Sequence, residues 1–224
     1  MTENLELFDK DNIENWIFDL DNTIYPANSS LFPRVAERMT LFISNKLDLP
    51  VNKASELKTN LFRKYGTTLK GLMLEYSMDP KEFLFFVHEI DLSDVKKDFE
   101  LDKGISNLNG KKYIFTNGTT RHADRILKKY GIEKHFEDIF DIVDADYIPK
   151  PNFEPYKIFL KKFKIDPTKS VMIEDMAKNL EPAAKLGIKT IWLKSDYEWA
   201  NKGASENYIH FVASDLKSFL TKLK

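Results

Sequence analysis

Two carboxylates separated by one residue, Asp19 and Asp21, stand where a short apolar run, Trp16-Ile17-Phe18, gives way to polar chain. Ionised acids are costly to bury unpaired. The pair therefore either shapes a turn, as Asp and Asn commonly do, or acts on a ligand. A second acid pair, Glu174-Asp175, ends a second apolar run, Val171-Met172-Ile173. If both runs are central parallel strands, four carboxylates converge on one edge. Such a group repels itself unless a hard cation sits in it. Mg²⁺ suits this role, because it takes one or two carboxylates together with water and substrate phosphate. Thr116-Asn117-Gly118-Thr119 adds a hydroxyl, an amide and backbone N–H groups ahead of a helix. A helix N-terminus favours anions, although Thr and Asn are also ordinary caps. Lys150 lies between Pro149 and Pro151, whose rings stiffen the loop. Near acids and a phosphate it would bind phosphoryl oxygens; on a surface it would be one more solvated charge.

These residues need a frame. An apolar run that ends in carboxylates reads as a buried parallel strand with its polar groups at the C-terminal edge. Runs of this kind recur at 112–117, 138–143, 171–175, 190–193 and 209–212. Between them lie helical patterns at 120–130, closed by Gly131, at 152–164 with Asn152 as its cap, at 177–186 stopping at Gly187, and at 215–223. Strands alternating with helices imply an α/β fold, a parallel sheet covered on both faces. Ligands of such sheets bind beyond the carboxyl ends of the strands, where Asp19, Thr116, Glu174 and Asp175 fall. From about Ser29 to Phe99 the pattern is helical alone. Val35, Met39, Phe42, Ile43 and Leu47 share one face, as do Leu57, Leu61, Phe62 and Tyr65 before Gly66. Asp79-Pro80-Lys81-Glu82 reads as a helix start. This stretch is expected to form a small bundle, with Phe83-Leu84-Phe85-Phe86 in its core.

Composition narrows the chemistry. Lys+Arg number 34 against 35 Asp+Glu, a formal net charge of −1, so no basic face is expected and a nucleic-acid polymer is not the partner. The pairs Lys128-Lys129 and Lys161-Lys162 are read as solvated helix surface. With no cysteine, thiolate metal sites, disulfides and a cysteine nucleophile are excluded. No basic-then-apolar leader and no apolar run of membrane-spanning length occurs. A cytoplasmic protein without membrane contact is expected.

The ordered set of segments resembles the haloacid dehalogenase superfamily, in its phosphohydrolase branch. Phe18-Asp19-Leu20-Asp21-Asn22-Thr23 is similar to the family's DxDx[TV] motif, Phe115-Thr116-Asn117-Gly118 to its second motif, Lys150 to its third-motif lysine and Glu174-Asp175-Met176-Ala177-Lys178-Asn179 to its acidic fourth motif. The resemblance implies a Rossmann-like core over residues 1–28 and 100–224, with an all-helical (C1-type) cap inserted at 29–99. Tyr25, Lys64-Tyr65-Gly66, Gly71-Leu72 and Lys178-Asn179 are similar to the pyrimidine 5′-nucleotidase-like subgroup. Glu174 departs from that subgroup, which more often carries Asp there.

The resemblance further implies that Asp19 is a nucleophile and Asp21 a general acid and base. Mg²⁺ would be held by Asp19, the backbone carbonyl of Asp21 and Asp175, with Glu174 acting through water. Thr116, the Asn117 backbone and Lys150 would take phosphoryl charge. Within or near the cap, Tyr25, Arg34, Tyr65 and His88 are candidates for choosing the substrate; His122, after the second motif, could face the site, but as a lone His it reads first as a surface-helix residue. The implied activity is hydrolysis of a small phosphorylated metabolite, including nucleoside 5′-monophosphates. A phosphoglycolate-type or sugar-phosphate phosphatase, a phosphomutase, or a silent binding protein on the same fold are the alternatives.

Overall fold

All four residues of the first strand, β1 (Asn15–Phe18), are buried, because β1 lies inside a six-stranded sheet. The other strands are β2 (Lys111–Phe115), β3 (Asp138–Phe140), β4 (Ser170–Glu174), β5 (Lys189–Leu193) and β6 (Phe211–Ala213). These elements come from a computed structural model that describes residues 10–195 and 197–223. The first nine residues of the expected core segment lie outside the described residues. Strand order is β3-β2-β1-β4-β5-β6, and every pairing is parallel. The chain therefore moves outward from β1 in one direction, then crosses back to β4 and continues in the other. The crevice at that reversal, between β1 and β4, is where such sheets bind ligands.

Alternation along the strands builds two cores. Trp16 and Phe18 of β1, Ile114 of β2 and Val171 and Ile173 of β4 face one layer. Ile17, Tyr113, Phe115 and Met172 face the other, against Tyr156 and Phe159. Side chains in a strand point to opposite faces in turn, so the apolar residues of these strands feed both cores. Phe115 stacks on Phe159 at 5.1 Å between ring centroids. These elements form the Rossmann-like α/β fold expected from the strand pattern.

Among the described residues, five helices and no strand lie between β1 and β2, of which the first four are α1 (Leu31–Leu47), α2 (Val51–Tyr65), α3 (Thr68–Tyr76) and α4 (Pro80–Val87). They form the inserted helical cap, whose apolar residues join the first core layer. Local signals set their ends. Gly66 closes α2 at φ 83°, and its N–H donates to Phe62 O at 2.9 Å. Gly71 lets α3 approach α2, since a Cβ there would sit 2.7 Å from Leu61 Cβ. Asp79 caps α4 by accepting from the Lys81 N–H, with Pro80 at the first position. The Phe83–Phe86 run is only partly core: Phe83 and Leu84 are buried, while Phe85 is exposed and lies beside the Arg121 guanidinium.

Beyond the cap come α5 (Phe99–Ser106), α6 (Thr120–Tyr130), α7 (Phe153–Phe163), α8 (Leu180–Lys185) and α9 (Leu216–Lys222). Helix α5 has no counterpart in the sequence reading. The segment expected as one helix over 177–186 is a 3₁₀ turn, Ala177–Asn179, followed by α8. Strand β3 stops at Phe140, short of the expected Val143. Asp141 turns the chain there by accepting from Thr120 N at 2.7 Å and Val143 N at 2.8 Å. Among the described residues no helix is long and apolar enough to cross a membrane.

Candidate active site

The carboxyl ends of β1, β2 and β4 meet as the register requires. Phe18 pairs with Ile173 and Ile114, and the Asp19 N–H donates to Ile173 O at 3.0 Å. Asp19, Thr116 and Glu174 are therefore the first residues past the core on three adjacent strands. All are buried, as is Asp175.

Lys150 lies at the centre of this edge. Its Nζ donates to Asp19 Oδ1 at 2.7 Å, Glu174 Oε2 at 2.7 Å and Phe115 O at 2.8 Å. The side chain is 1% exposed, so all three donors are used and no water is needed. Burial opposes the charge, but Asp19 and Glu174 outweigh it and hold the pKa above the usual lysine value. Asn117 holds the lysine's main chain from both sides: its Oδ1 accepts from Lys150 N at 2.8 Å, and its Nδ2 donates to Lys150 O at 3.3 Å. The Asn117 side chain is thus committed, and only its backbone faces a ligand's needs. Thr116 Oγ1 accepts from Gly118 N at 2.8 Å, which shapes the turn after β2.

One cation does not balance three buried acids. Burial and the neighbouring Glu174 push the Asp19 carboxyl up to about 7, despite Lys150. Burial, Glu174 and Asp19 push Asp175 well above the ordinary range. Asp175 Oδ2 is buried with no hydrogen-bond partner. Oxygens of Asp19, Glu174 and Asp175 lie within 4.8 Å of one another. An orphaned carboxylate oxygen among hard oxygen donors fits a divalent cation of the Mg²⁺ class. Glu174 is already engaged on both oxygens, by Lys150 and by Met176 N at 3.2 Å. Asp19 and Asp175 therefore have more to offer a cation directly.

Asp21 sits apart from this cluster. Its Oδ1 accepts from the buried Tyr25 hydroxyl and lies 3.0 Å from His122 Nε2. Burial alone would raise its pKa. The charge available on His122 and the hydrogen bonds from His122 and Tyr25 prevail and lower it. Tyr25 thus acts on Asp21 and does not line the cavity. The expectation that His122 lies on a surface helix is corrected: it is 1% exposed, on the inward face of α6. Its ring stacks on His88 at 4.2 Å between centroids and 13° between planes. His88 follows α4, and its Nδ1 lies 3.0 Å from Thr119 Oγ1. Burial, with His122 beside it, lowers the His88 pKa well below the usual value, which keeps that ring neutral. Arg125 of α6 adds two bonds, from Nη1 to His88 O at 2.7 Å and from Nη2 to Ile90 O at 2.9 Å.

Because Asp21 rests on only two side chains, His122 has a measurable role. In His122→Leu the carboxylate keeps Tyr25 and loses its second anchor; with Asp21 as the general acid that the resemblance implies, kcat is expected to fall about 10- to 100-fold. His122→Gln, which returns an N–H donor, should recover part of that loss in steady-state assays.

A cavity of about 600 Å³ opens over the acids and extends under the cap, within the size range of a small-ligand site. Asp19, Asp21, Thr116, Lys150, Glu174 and Asp175 border it. His88 borders it as well. Arg34 and Tyr65 do not, and the structure corrects both. Arg34 forms an ion pair with Asp94 and donates to Asp91 O at 2.5 Å and Ser30 Oγ at 2.8 Å, clasping the cap's entry to its exit. The Tyr65 hydroxyl donates to Glu75 across the α2–α3 corner. The cap wall is supplied instead by apolar residues of α1, α2 and α4 and by Lys58 of α2, with Trp199 facing it from the core loop between β5 and β6.

This site has counterparts. A 26% identical relative is phosphate metabolism protein 8 of Saccharomyces cerevisiae, aligned over 84% of this chain and 64% of the yeast protein's length. Glyceraldehyde 3-phosphate phosphatase of Pyrococcus furiosus is 23% identical over 92% of this chain and 91% of its own. Among solved structures, a HAD phosphatase from Thermococcus onnurineus superposes with a TM-score of 0.63 at 16% identity, covering 94% of this chain and 97% of that one. The HAD-hydrolase YfnB of Bacillus subtilis, bound to magnesium, superposes with a TM-score of 0.59 at 19% identity, covering 95% and 99%. At such identities the structural likeness speaks for the fold. The model of one family, the haloacid dehalogenase-like hydrolases, matches residues 13–187. With that span taking in Asp19, Thr116, Lys150 and Asp175, the chain belongs to the haloacid dehalogenase-like hydrolase family.

Proposed function

We propose that the protein is a Mg²⁺-dependent phosphomonoesterase, acting through an aspartyl-phosphate on a small phosphorylated metabolite, with nucleoside 5′-monophosphates as the leading class. The observation that carries the reading is the pairing of a buried Asp19, held by Lys150, with the unpartnered oxygen of Asp175 beside it. The names of the yeast and Pyrococcus relatives agree with phosphate chemistry.

Asp19 is the nucleophile. One of its oxygens bonds to phosphorus as the P–O bond to the leaving group breaks, which divides one hard displacement into two easier ones. Asp21 gives a proton to the departing oxygen, later takes one from the attacking water, and the Asp19–phosphorus bond then breaks. The lowered pKa of Asp21 suits the base step. For the acid step Asp21 must first take up a proton, which a phosphomonoester with a second pKa of about 6 can bring as the monoanion and pass to Asp21 on binding. Lys150, Thr116 and the backbone of Asn117 take the charge that builds on the phosphoryl oxygens. A bound Mg²⁺, held by Asp19, the carbonyl of Asp21 and Asp175, with Glu174 behind, would neutralise the approach of one anion to another.

The apolar cap wall favours a bulky leaving group. Phosphoglycolate or a simple sugar phosphate would leave that wall unmatched. Phosphate release should be measured against nucleoside monophosphates, ribose 5-phosphate, phosphoglycolate and glyceraldehyde 3-phosphate. Turnover of at least one is expected with Mg²⁺ and its loss with EDTA. No release from any of them with Mg²⁺ present overturns the reading.

A further inference from the structure

The cap half of the cavity contains one feature that phosphoryl transfer does not use. Lys58, half-buried on α2, borders a wall otherwise made largely of apolar side chains. Its Nζ donates to Ala36 O at 3.1 Å and Thr40 Oγ1 at 2.9 Å, both on α1. Those bonds use two of its three N–H donors. Among the described residues no carboxylate lies within ion-pair distance of it. Glu37, exposed, also borders the cavity and forms no ion pair with Lys58. Burial pulls the Lys58 pKa down with nothing offsetting it. With two of its three N–H donors used and no carboxylate paired to it among the described residues, the ammonium of this cavity-bordering lysine has a donor in reserve.

The surroundings of Lys58 define the shape of what it would meet. Phe62 lies one turn along the same helix face, and its ring meets Trp199 edge-on at 5.5 Å. Phe32 of α1 lies 6.3 Å from the same indole. Tyr197 stacks on Trp199 at 5.2 Å and 17° and also borders the cavity. Trp199 belongs to the core and Phe32 and Phe62 to the cap, so the aromatic group bridges the two. Ring edges and faces set at these angles accommodate a flat group better than a flexible chain.

We infer that Lys58 is a specificity-determining residue, donating to an oxygen acceptor on a flat, unsaturated ring that the leaving group inserts among Phe32, Phe62 and Trp199. The inference rests on the phosphomonoesterase reading and names the part of the substrate distant from phosphorus. A nucleoside 5′-monophosphate with ring carbonyls has all three features: a phosphoester, a flat ring and an acceptor.

Uridine 5′-monophosphate and ribose 5-phosphate test it, because both release a primary 5′-alcohol and only one carries the ring. The readout is the ratio of their kcat/KM values, in which the fraction of folded enzyme cancels. Wild type should prefer the uridine ester. Lys58→Met should lower that ratio about tenfold or more, mostly through KM for the uridine ester, as expected for a lost hydrogen bond to a charged group. Lys58→Arg should restore most of it. If Lys58→Met does not fold, Lys58→Gln, which can still bond Ala36 O, should show the same fall. A ratio unchanged in these variants, or a wild type that hydrolyses ribose 5-phosphate equally well, overturns the inference and leaves the phosphatase reading standing. No Mg²⁺-dependent release from either ester overturns the inference, and none from phosphoglycolate or glyceraldehyde 3-phosphate as well overturns both.

Discussion

Asp19→Asn is expected to lower kcat by about four orders of magnitude or more while leaving the fold intact. The amide keeps an oxygen for Lys150 to donate to, at the place where Asp19 Oδ1 accepts at 2.7 Å, but it is a poor nucleophile. Stability should move the other way. In the folded metal-free protein, burial and Glu174 raise the Asp19 carboxyl from its usual 3.8 to about 7. The folded state therefore holds that proton more tightly than the unfolded chain, and the contribution of Asp19 to stability falls as pH rises from about 4 to about 7. Asparagine does not titrate. Without Mg²⁺ the variant should match wild type only at about pH 4, where the carboxyl takes up a proton in both states, and melt a few degrees higher at pH 8. Scanning fluorimetry with EDTA at the two pH values measures this, and phosphate release measures the rest. Turnover above a tenth of wild type would refute an aspartyl-phosphate.

Lys150→Met is the contrasting case. It removes the cation that, among the described residues, pairs with Asp19 and Glu174, and leaves these facing each other beside Asp175, all buried. Breaking a buried pair by deleting one partner costs about 3–5 kcal/mol. In a domain of this size that corresponds to a melting temperature lower by roughly 10 °C. Activity should fall about 10²- to 10³-fold, the scale for losing one donor to a developing charge. Added Mg²⁺ should recover part of the stability by mass action, because it binds the folded state and supplies countercharge. A variant as stable as wild type in EDTA would show that these acids are already protonated together. The two substitutions thus separate: the first spares the fold and abolishes chemistry, and the second damages both.

The sheet edge was legible because its parts are written locally. A buried strand must be apolar to its last residue, so the acids at 19, 174 and 175 mark where the strands end. Lys150 between prolines stands out for the same local reason. What was not legible depends on contacts far along the chain. His122 has the spacing of any helix residue, and only the packing of α6 against the end of α4 turns it toward Asp21. Lys58 and Trp199, which share a cavity, are separated by most of the sequence and belong to no local pattern. Arg34 and Tyr65 mislead in the opposite sense, since nearness to a motif along the chain is not nearness in space. Their polar ends are taken up by Asp94 and Glu75. Helix α5 escaped notice because its buried face rests on just Leu101 and Ile105, too few to register as a period.

The chain crosses between core and cap twice, and two arginines change what those crossings are mechanically. Arg34, just after the outbound crossing, grips Asp91 and Asp94 beside the inbound one. Arg125 holds the carbonyls of His88 and Ile90 to the core. Two separate threads would let a lid slide and twist as well as tip. Bound side by side, they act as one short stem, stiff to torsion, that keeps Phe32 and Phe62 of the cap in register with Trp199 of the core.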